Sequence, residues 1–118
     1  MLQRCLIVDD SRAFLTSACA LLEAQGMTVS ACASCGEEAL AAVGRFELDL
    51  ALVDVELGGE DGFVLARSLA AQDPALRIVL ISAYELIDIE EPLAASGAAG
   101  FITKTALGKQ AIAELLEN

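Results

Sequence analysis

The sequence predicts an α/β domain built on a parallel sheet with helices on both faces. Three observations carry this reading. Short apolar runs alternate with stretches of helical spacing from one end of the chain to the other. The central run, Leu48 to Val53, is apolar at nearly every position, as a parallel strand buried on both faces requires. Two of the runs also end in acids, Val8-Asp9-Asp10 and Val53-Asp54, which places carboxylates on one edge of the sheet. Five βα units in 118 residues make one domain, residues 1–118, joined by right-handed crossovers. Such a chain buries about two-thirds of its unfolded surface and needs no disulfide or metal to hold its core.

Taken in order, Leu2 to Val8 is the first strand, and Ser11 is placed to cap the helix that follows. Phe14, Leu15, Ala18, Leu21 and Leu22 recur at helical spacing before Gly26 stops that helix. Met27 to Ala33 is the second strand, and Glu37 to Val43 is a second helix ended by Gly44. After the third strand, three glycines mark Glu56 to Gly62 as a loop. Phe63 to Ala71 is the third helix, and Asp73-Pro74 turns the chain. Arg77 to Ile81 is the fourth strand. Pro92 to Ser96 is a short fourth helix, with Pro92 tolerated only in a first turn. Gly97 and Gly100 flank the fifth strand, Ala99 to Thr103, and Ala106 to Glu117 is the last helix.

Composition excludes several classes of function. Asp and Glu number 18 against 7 Lys and Arg, a net charge of −11 that repels nucleic-acid phosphates, so no direct nucleic-acid contact is expected. No apolar run approaches the ~18 residues of a membrane span. The start Met1-Leu2-Gln3-Arg4 lacks a cleavable signal pattern, so no membrane role and a cytoplasmic location are expected. Cys32-Ala33-Ser34-Cys35 forms a C-x-x-C, but zinc would want a second close pair, and Cys5 and Cys19 are far apart in sequence. Small buried thiols at a strand end in a reducing compartment are the simpler reading.

The acids carry the chemistry. At an effective dielectric near 20, two carboxylates about 5 Å apart repel by roughly 3 kcal/mol, so a cation is needed to offset Asp9-Asp10 at the end of a buried strand. In parallel α/β sheets, ligands bind beyond the carboxyl ends of the strands where strand order reverses. Asp9, Asp10, Asp54, Ser82 and Lys104 all fall on that edge. Three carboxylates, one hydroxyl and one ammonium suit a phosphoryl group handled with Mg2+. In that arrangement Asp10 and Asp54 supply direct metal ligands, Asp9 holds a coordinated water, and Lys104 and Ser82 bind phosphoryl oxygens. A carboxylate can itself be the nucleophile, giving an aspartyl phosphate.

The stretches Ile7-Val8-Asp9-Asp10, Val53-Asp54, Asp61-Gly62, Ile81-Ser82-Ala83 and Gly97-Ala98-Ala99-Gly100-Phe101-Ile102-Thr103-Lys104 resemble, in this order and spacing, the receiver domain of two-component response regulators. The resemblance covers nearly the whole chain. It implies a flavodoxin-like (βα)5 three-layer sandwich with strand order 2-1-3-4-5. It implies Asp54 as phosphoacceptor, Mg2+ as cofactor with the Glu56 backbone carbonyl among its ligands, and a sensor histidine kinase as donor. It also implies Ser82 and Phe101 as a switch pair, and a signalling surface that includes Ala94, Ala95, Ala111, Ile112 and Leu115, through which a homodimer can form. The chain would be no enzyme beyond its own phosphorylation and dephosphorylation. Having no histidine, it lacks a phosphohistidine of its own and would be the receiving partner.

Two departures from the family pattern stand out. Gly58 occupies the place, four residues after Asp54, where the family often has proline. Thr105 follows the lysine where the family often has a cis-bonded proline, and a non-proline cis bond costs about 3–4 kcal/mol, so the isomer of Lys104-Thr105 is left open. The loop and the Gly-Phe-Ile-x-Lys ending look most like receivers with a C-terminal helix-turn-helix output domain, ahead of a free-standing receiver. An aspartate-nucleophile phosphohydrolase is the rival of another class, although it would want Asp-x-Asp after strand one. Glu56 and Tyr84, each two residues beyond a site residue, are the positions expected to tune phosphoryl lifetime.

Overall fold

The computed structural model describes residues 4–117. Five parallel strands, β1 (Arg4–Val8), β2 (Thr28–Ala33), β3 (Leu50–Asp54), β6 (Arg77–Ser82) and β7 (Gly100–Thr103), pair in the order β2-β1-β3-β6-β7. Two further strands, β4 (Glu56–Leu57) and β5 (Glu60–Asp61), form a separate small hairpin. With those two set aside, this is the expected 2-1-3-4-5 arrangement. The chain enters the sheet at β1, steps to β2 on one side and then crosses to β3 on the other. The reversal therefore lies between β1 and β3, and the crevice at their carboxyl ends is the switch point.

The helices are α1 (Arg12–Ala24), α2 (Gly36–Arg45), α3 (Gly62–Gln72), α4 (Glu90–Ser96) and α5 (Lys109–Leu116). Side chains alternate across each strand, so one run of sequence feeds two cores. Leu6, Val8, Ala51, Val53, Ile78 and Leu80 pack with Ala39 and Val43 of α2 and Leu65 and Leu69 of α3. Cys5, Ile7, Leu50, Leu52, Val79 and Ile81 pack with Ala18 and Leu22 of α1 and Ile112 and Leu116 of α5. All five residues of β3 are buried, which is why its sequence shows no alternation.

Most predicted elements are present with shifted ends. The first strand was expected from Leu2, which lies outside the described residues; the described strand runs from Arg4. Ser11 caps α1, its side chain accepting from the Phe14 N–H at 3.2 Å. After Ala24 the Met27 N–H reaches the Leu22 carbonyl at 3.0 Å and Gly26 follows the cap, closing the helix where expected. Helix α4 begins at Glu90, so Pro92 falls in its first turn, where no intrahelical N–H is required.

Four expectations are corrected. The segment Glu56 to Gly62 is not an irregular loop. Its β4–β5 hairpin turns on Gly58 and Gly59, at φ 52° and 100°, the pair of positive values a two-residue type I′ turn needs. Gly44 does not end α2, which continues to Arg45; an interior glycine costs only about 1 kcal/mol and does not outweigh the final Phe46 N–H to Ala42 carbonyl bond at 2.9 Å. The last helix is split into a 3-10 turn at Lys104–Ala106, a buried Leu107, and α5 proper. Finally, the thiols of the C-x-x-C are not buried. Cys32 is exposed because β2 is an edge strand, and all four cysteines are free.

Two placements in α5 also revise the expected signalling surface. Ile112 is buried beneath α5, and Leu115 is half-buried against Gly100, where a Cβ would collide with it. Ala94 and Ala95 are exposed as expected, and Ala111 is half-buried. Among the described residues no helix is long and apolar enough to cross a membrane. No peptide bond among them is cis, so Lys104-Thr105 is trans.

Gly62 ties the hairpin and α3 to the end of β3. Its N–H bonds the Val55 carbonyl at 2.8 Å, and a Cβ here would collide with the backbone oxygen of Asp54. Gly62→Ala is expected to lower stability by about 3 kcal/mol or more, read from the urea midpoint at constant m.

Cys5 supplies a pH test of the core. Burial, then the neighbouring Cys32 and Cys19, push its thiol from 9.0 up to about 12. The unfolded chain loses this proton first, so the contribution is intact below pH 9 and is lost as pH rises through 9 toward 12. Between pH 9 and 11, wild type should lose stability more steeply than Cys5→Ala, the difference in slope approaching about 1.4 kcal/mol per pH unit. Parallel slopes would contradict this.

Candidate functional site: an acidic cluster at the switch point

The five site residues are delivered by the ends of four strands. Asp9 and Asp10 follow β1, Asp54 closes β3, Ser82 closes β6, and Lys104 follows β7. Asp9 is fully buried; its N–H bonds the Ala33 carbonyl of β2 at 3.0 Å, and its Oδ1 accepts the Ser11 N–H at 2.8 Å. The carboxylate is thereby oriented by the same short turn that starts α1. Asp54 is 7% exposed, and its Oδ1 accepts the Glu56 N–H at 3.0 Å. Asp10 is exposed, on the solvent side of the pair.

Carboxylate oxygens of Asp9, Asp10 and Asp54 lie within 4.8 Å of one another. Lys104 Nζ stands 2.5 Å from Asp9 Oδ2 and 3.0 Å from Asp54 Oδ2. The structure thus brings together four of the predicted residues. Burial raises the Asp54 carboxyl; the Glu56 N–H and the Lys104 ammonium pull the other way without cancelling it, and the Asp9 charge adds to the rise. For Lys104, burial acts to lower its value, but the contacts and charges of Asp9 and Asp54 outweigh it and leave the ammonium raised.

The cluster fits a hard divalent cation. Its donors are carboxylate oxygens, and Asp9 Oδ2 is buried with no hydrogen bond of good geometry, held only by its ion pair with Lys104. Three acids beside one ammonium leave an excess of negative charge that a cation would offset.

Ser82 is buried, and its Oγ accepts the Tyr84 N–H at 3.1 Å rather than meeting a carboxylate. It pairs in register with Thr103, the residue before Lys104. Phe101 pairs with Leu80 and is half-buried against the core on the α2–α3 face. By strand alternation Ser82 and Phe101 occupy the same sheet face on adjacent strands, two register positions apart. Glu56 is exposed and touches the site through its backbone N–H, while Tyr84 is 76% exposed.

Three residues contribute in ways the sequence did not assign to them. Phe14 places its ring centroid 4.3 Å from Lys104 Nζ; its helical spacing marked it only as a core residue. Asp61 caps α3 by accepting the Phe63 and Val64 N–H groups, and Glu60 Oε1 accepts the Gly36 N–H at 3.0 Å. Both fix the hairpin beside Asp54, and the Asp61-Gly62 pair before an apolar run was the available signal for the first.

Comparison with known proteins agrees with this geometry. Residues 5–117 match the family described as the response regulator receiver domain. The response regulator GacA of Pseudomonas aeruginosa is 31% identical over 102 residues, covering 86% of this chain and 48% of GacA. The chain spans less than half the length of that curated relative. Among solved structures, the signal receiver domain of the putative response regulator NarL from Mycobacterium tuberculosis superposes with a TM-score of 0.84 at 27% identity, covering 98% of each chain. A Burkholderia pseudomallei response regulator, solved with a phosphorylated aspartic acid, calcium ion and citrate, gives a TM-score of 0.85 at 27% identity over 96% of this chain and 66% of its own. The phosphohydrolase alternative finds no support in these matches. A parallel sheet in this strand order, an acidic crevice at its switch point and a family match over nearly all of its length make this chain a member of the response regulator receiver domain family, the receiver of a two-component response regulator.

Proposed function

We propose that Asp54 accepts a phosphoryl group from the phosphohistidine of a sensor histidine kinase, with Mg2+ held by Asp10, Asp54 and the Glu56 carbonyl, and by Asp9 through water. The observation that carries this reading is the gathering of three carboxylates around one ammonium at the switch point. Mg2+, when bound, supplies the positive charge that lets an anionic carboxylate meet an anionic phosphoryl group. The rest falls to the chain itself. The Glu56 N–H and Lys104 hold Asp54 by separate oxygens and set its attack on phosphorus. The new O–P bond forms as the N–P bond to the kinase histidine breaks, and the imidazole leaves with the electron pair. Lys104 and the Ser82 hydroxyl then face the phosphoryl oxygens. Ser82 must exchange its bond from the Tyr84 N–H to do so, and Phe101, on the same sheet face, takes up the space behind it.

The phosphorylated aspartate and the cation of the Burkholderia pseudomallei relative support this assignment by analogy. The chain acts on itself alone, in the cytoplasm, and its net charge of −11 leaves DNA contact to an output domain outside these residues. Control of transcription through such a domain is the reading favoured over a free-standing receiver, because the match with the transcriptional regulatory protein ZraR of Escherichia coli takes in 84% of this chain and 22% of that protein. A second copy of the chain is the other partner, through the face bearing Ala94 and Ala95.

Incubation with Mg2+ and acetyl phosphate should add one phosphoryl group to Asp54, seen by mass, and Asp54→Ala should abolish it. No adduct on wild type, or an undiminished adduct on Asp54→Ala, overturns the reading. Glu56→Ala and Tyr84→Ala should each change the dephosphorylation rate. Unchanged rates in both variants would remove them as modulators.

A further inference from the structure

The phosphoryl chemistry leaves one contact without a role. Phe14 stands at the third position of α1, half-buried, with its ring centroid 4.3 Å from Lys104 Nζ. We propose that Phe14 is a positioning residue, whose ring face holds the Lys104 ammonium at the Asp54 carboxylate. The inference rests on the reading of Asp54 as phosphoacceptor.

Lysine is a compact charge on a four-carbon stem with rotatable donors, so its ammonium needs external restraint to hold one position. In this structure two carboxylates supply part of it, at 2.5 and 3.0 Å. Their pull depends on their charge, and the charge on Asp54 is the one the proposed reaction alters. The attraction of a ring face to a cation does not depend on that change. The contact is also well shielded, since the Lys104 side chain is 18% exposed, and shielding strengthens cation–π attraction.

The ring is itself held relative to the acids. Asp9 Oδ1 accepts the Ser11 N–H at 2.8 Å, and Ser11 Oγ accepts the Phe14 N–H at 3.2 Å. One carboxylate thus meets the ammonium directly and sets the helix turn that carries the ring. Simple core packing is the competing account, because Phe14 lies against the core beneath α1. Leucine would serve that role and could not serve the other.

The chain has two lysines, Lys104 and Lys109, which makes the contact visible by itself. In protein labelled with 13C-lysine, the ε-methylene protons of Lys104 should be shifted upfield of those of the exposed Lys109 by the ring current, and Phe14→Leu should remove the difference. Phosphorylation by acetyl phosphate should slow about five-fold in Phe14→Leu, equivalent to about 1 kcal/mol, and Phe14→Tyr should recover most of the rate. Coincident ε-methylene signals in wild type, an undiminished rate in Phe14→Leu, or a Phe14→Tyr as slow as Phe14→Leu each overturn the proposal. The wild-type spectrum decides the contact even if Phe14→Leu does not fold. Failure of the underlying reading looks different: wild type then takes no phosphoryl group at all, and the role of Phe14 falls with it.

Discussion

The fold is organised around a burial problem. Asp9 is a carboxylate with no exposed surface, set within 4.8 Å of two more, and an ion removed from water without a partner costs several kcal/mol. The Ser11 N–H satisfies one of its oxygens, and among the described residues the charge itself is met by Lys104, which comes from the far end of the chain, after β7. The two can meet only if β1, β3, β6 and β7 lie parallel with their carboxyl ends on one edge. Strand order, parallel pairing and the position of the 3-10 turn are all conditions for that single ion pair. The cluster is in turn left short of positive charge, and this makes it receptive to a cation rather than self-sufficient.

A second constraint works through space rather than charge. Gly62 brings the start of α3 against the backbone of Asp54, and Leu57 of the hairpin is buried in the core below. Asp54 is therefore enclosed by its own strand, by Glu56 beyond it and by the α3 terminus beside it. The hairpin replaces the proline that the family often has with a Gly-Gly turn, and gains its order from paired strands and from Glu60 on the α2 N-terminus. A carboxylate boxed in this way is held in place from three sides.

What the residues disclosed followed from how strongly each pattern is imposed. β3 and β6 were legible because burial on both faces demands continuous apolar runs, and the acid at the end of β3 marked the edge. The β4–β5 hairpin was not, since two-residue strands carry no periodicity and Gly-Gly reads as a plain break. Gly44 misled because a glycine near a helix end and one inside it have the same local signature. Cys32 looked buried because strand membership does not tell edge from centre. Among site residues, the acids and Lys104 were visible because charge at the end of an apolar run has no packing explanation. Phe14 was hidden for the opposite reason. Core packing explains it completely until the ammonium beside it is seen.

Gln25 Oε1 accepts the Lys109 N–H at 2.7 Å, supplying from the end of α1 the cap that α5 lacks in its own sequence. Lys104 therefore rides on a five-residue bridge, 104–108, moored to the sheet at one abutment and to α1 at the other, with Leu107 sunk between them. Helix α1 thus grips this bridge twice, by Phe14 near its start and by Gln25 at its end. The set of this one helix against the sheet and the reach of this one ammonium are therefore a single variable.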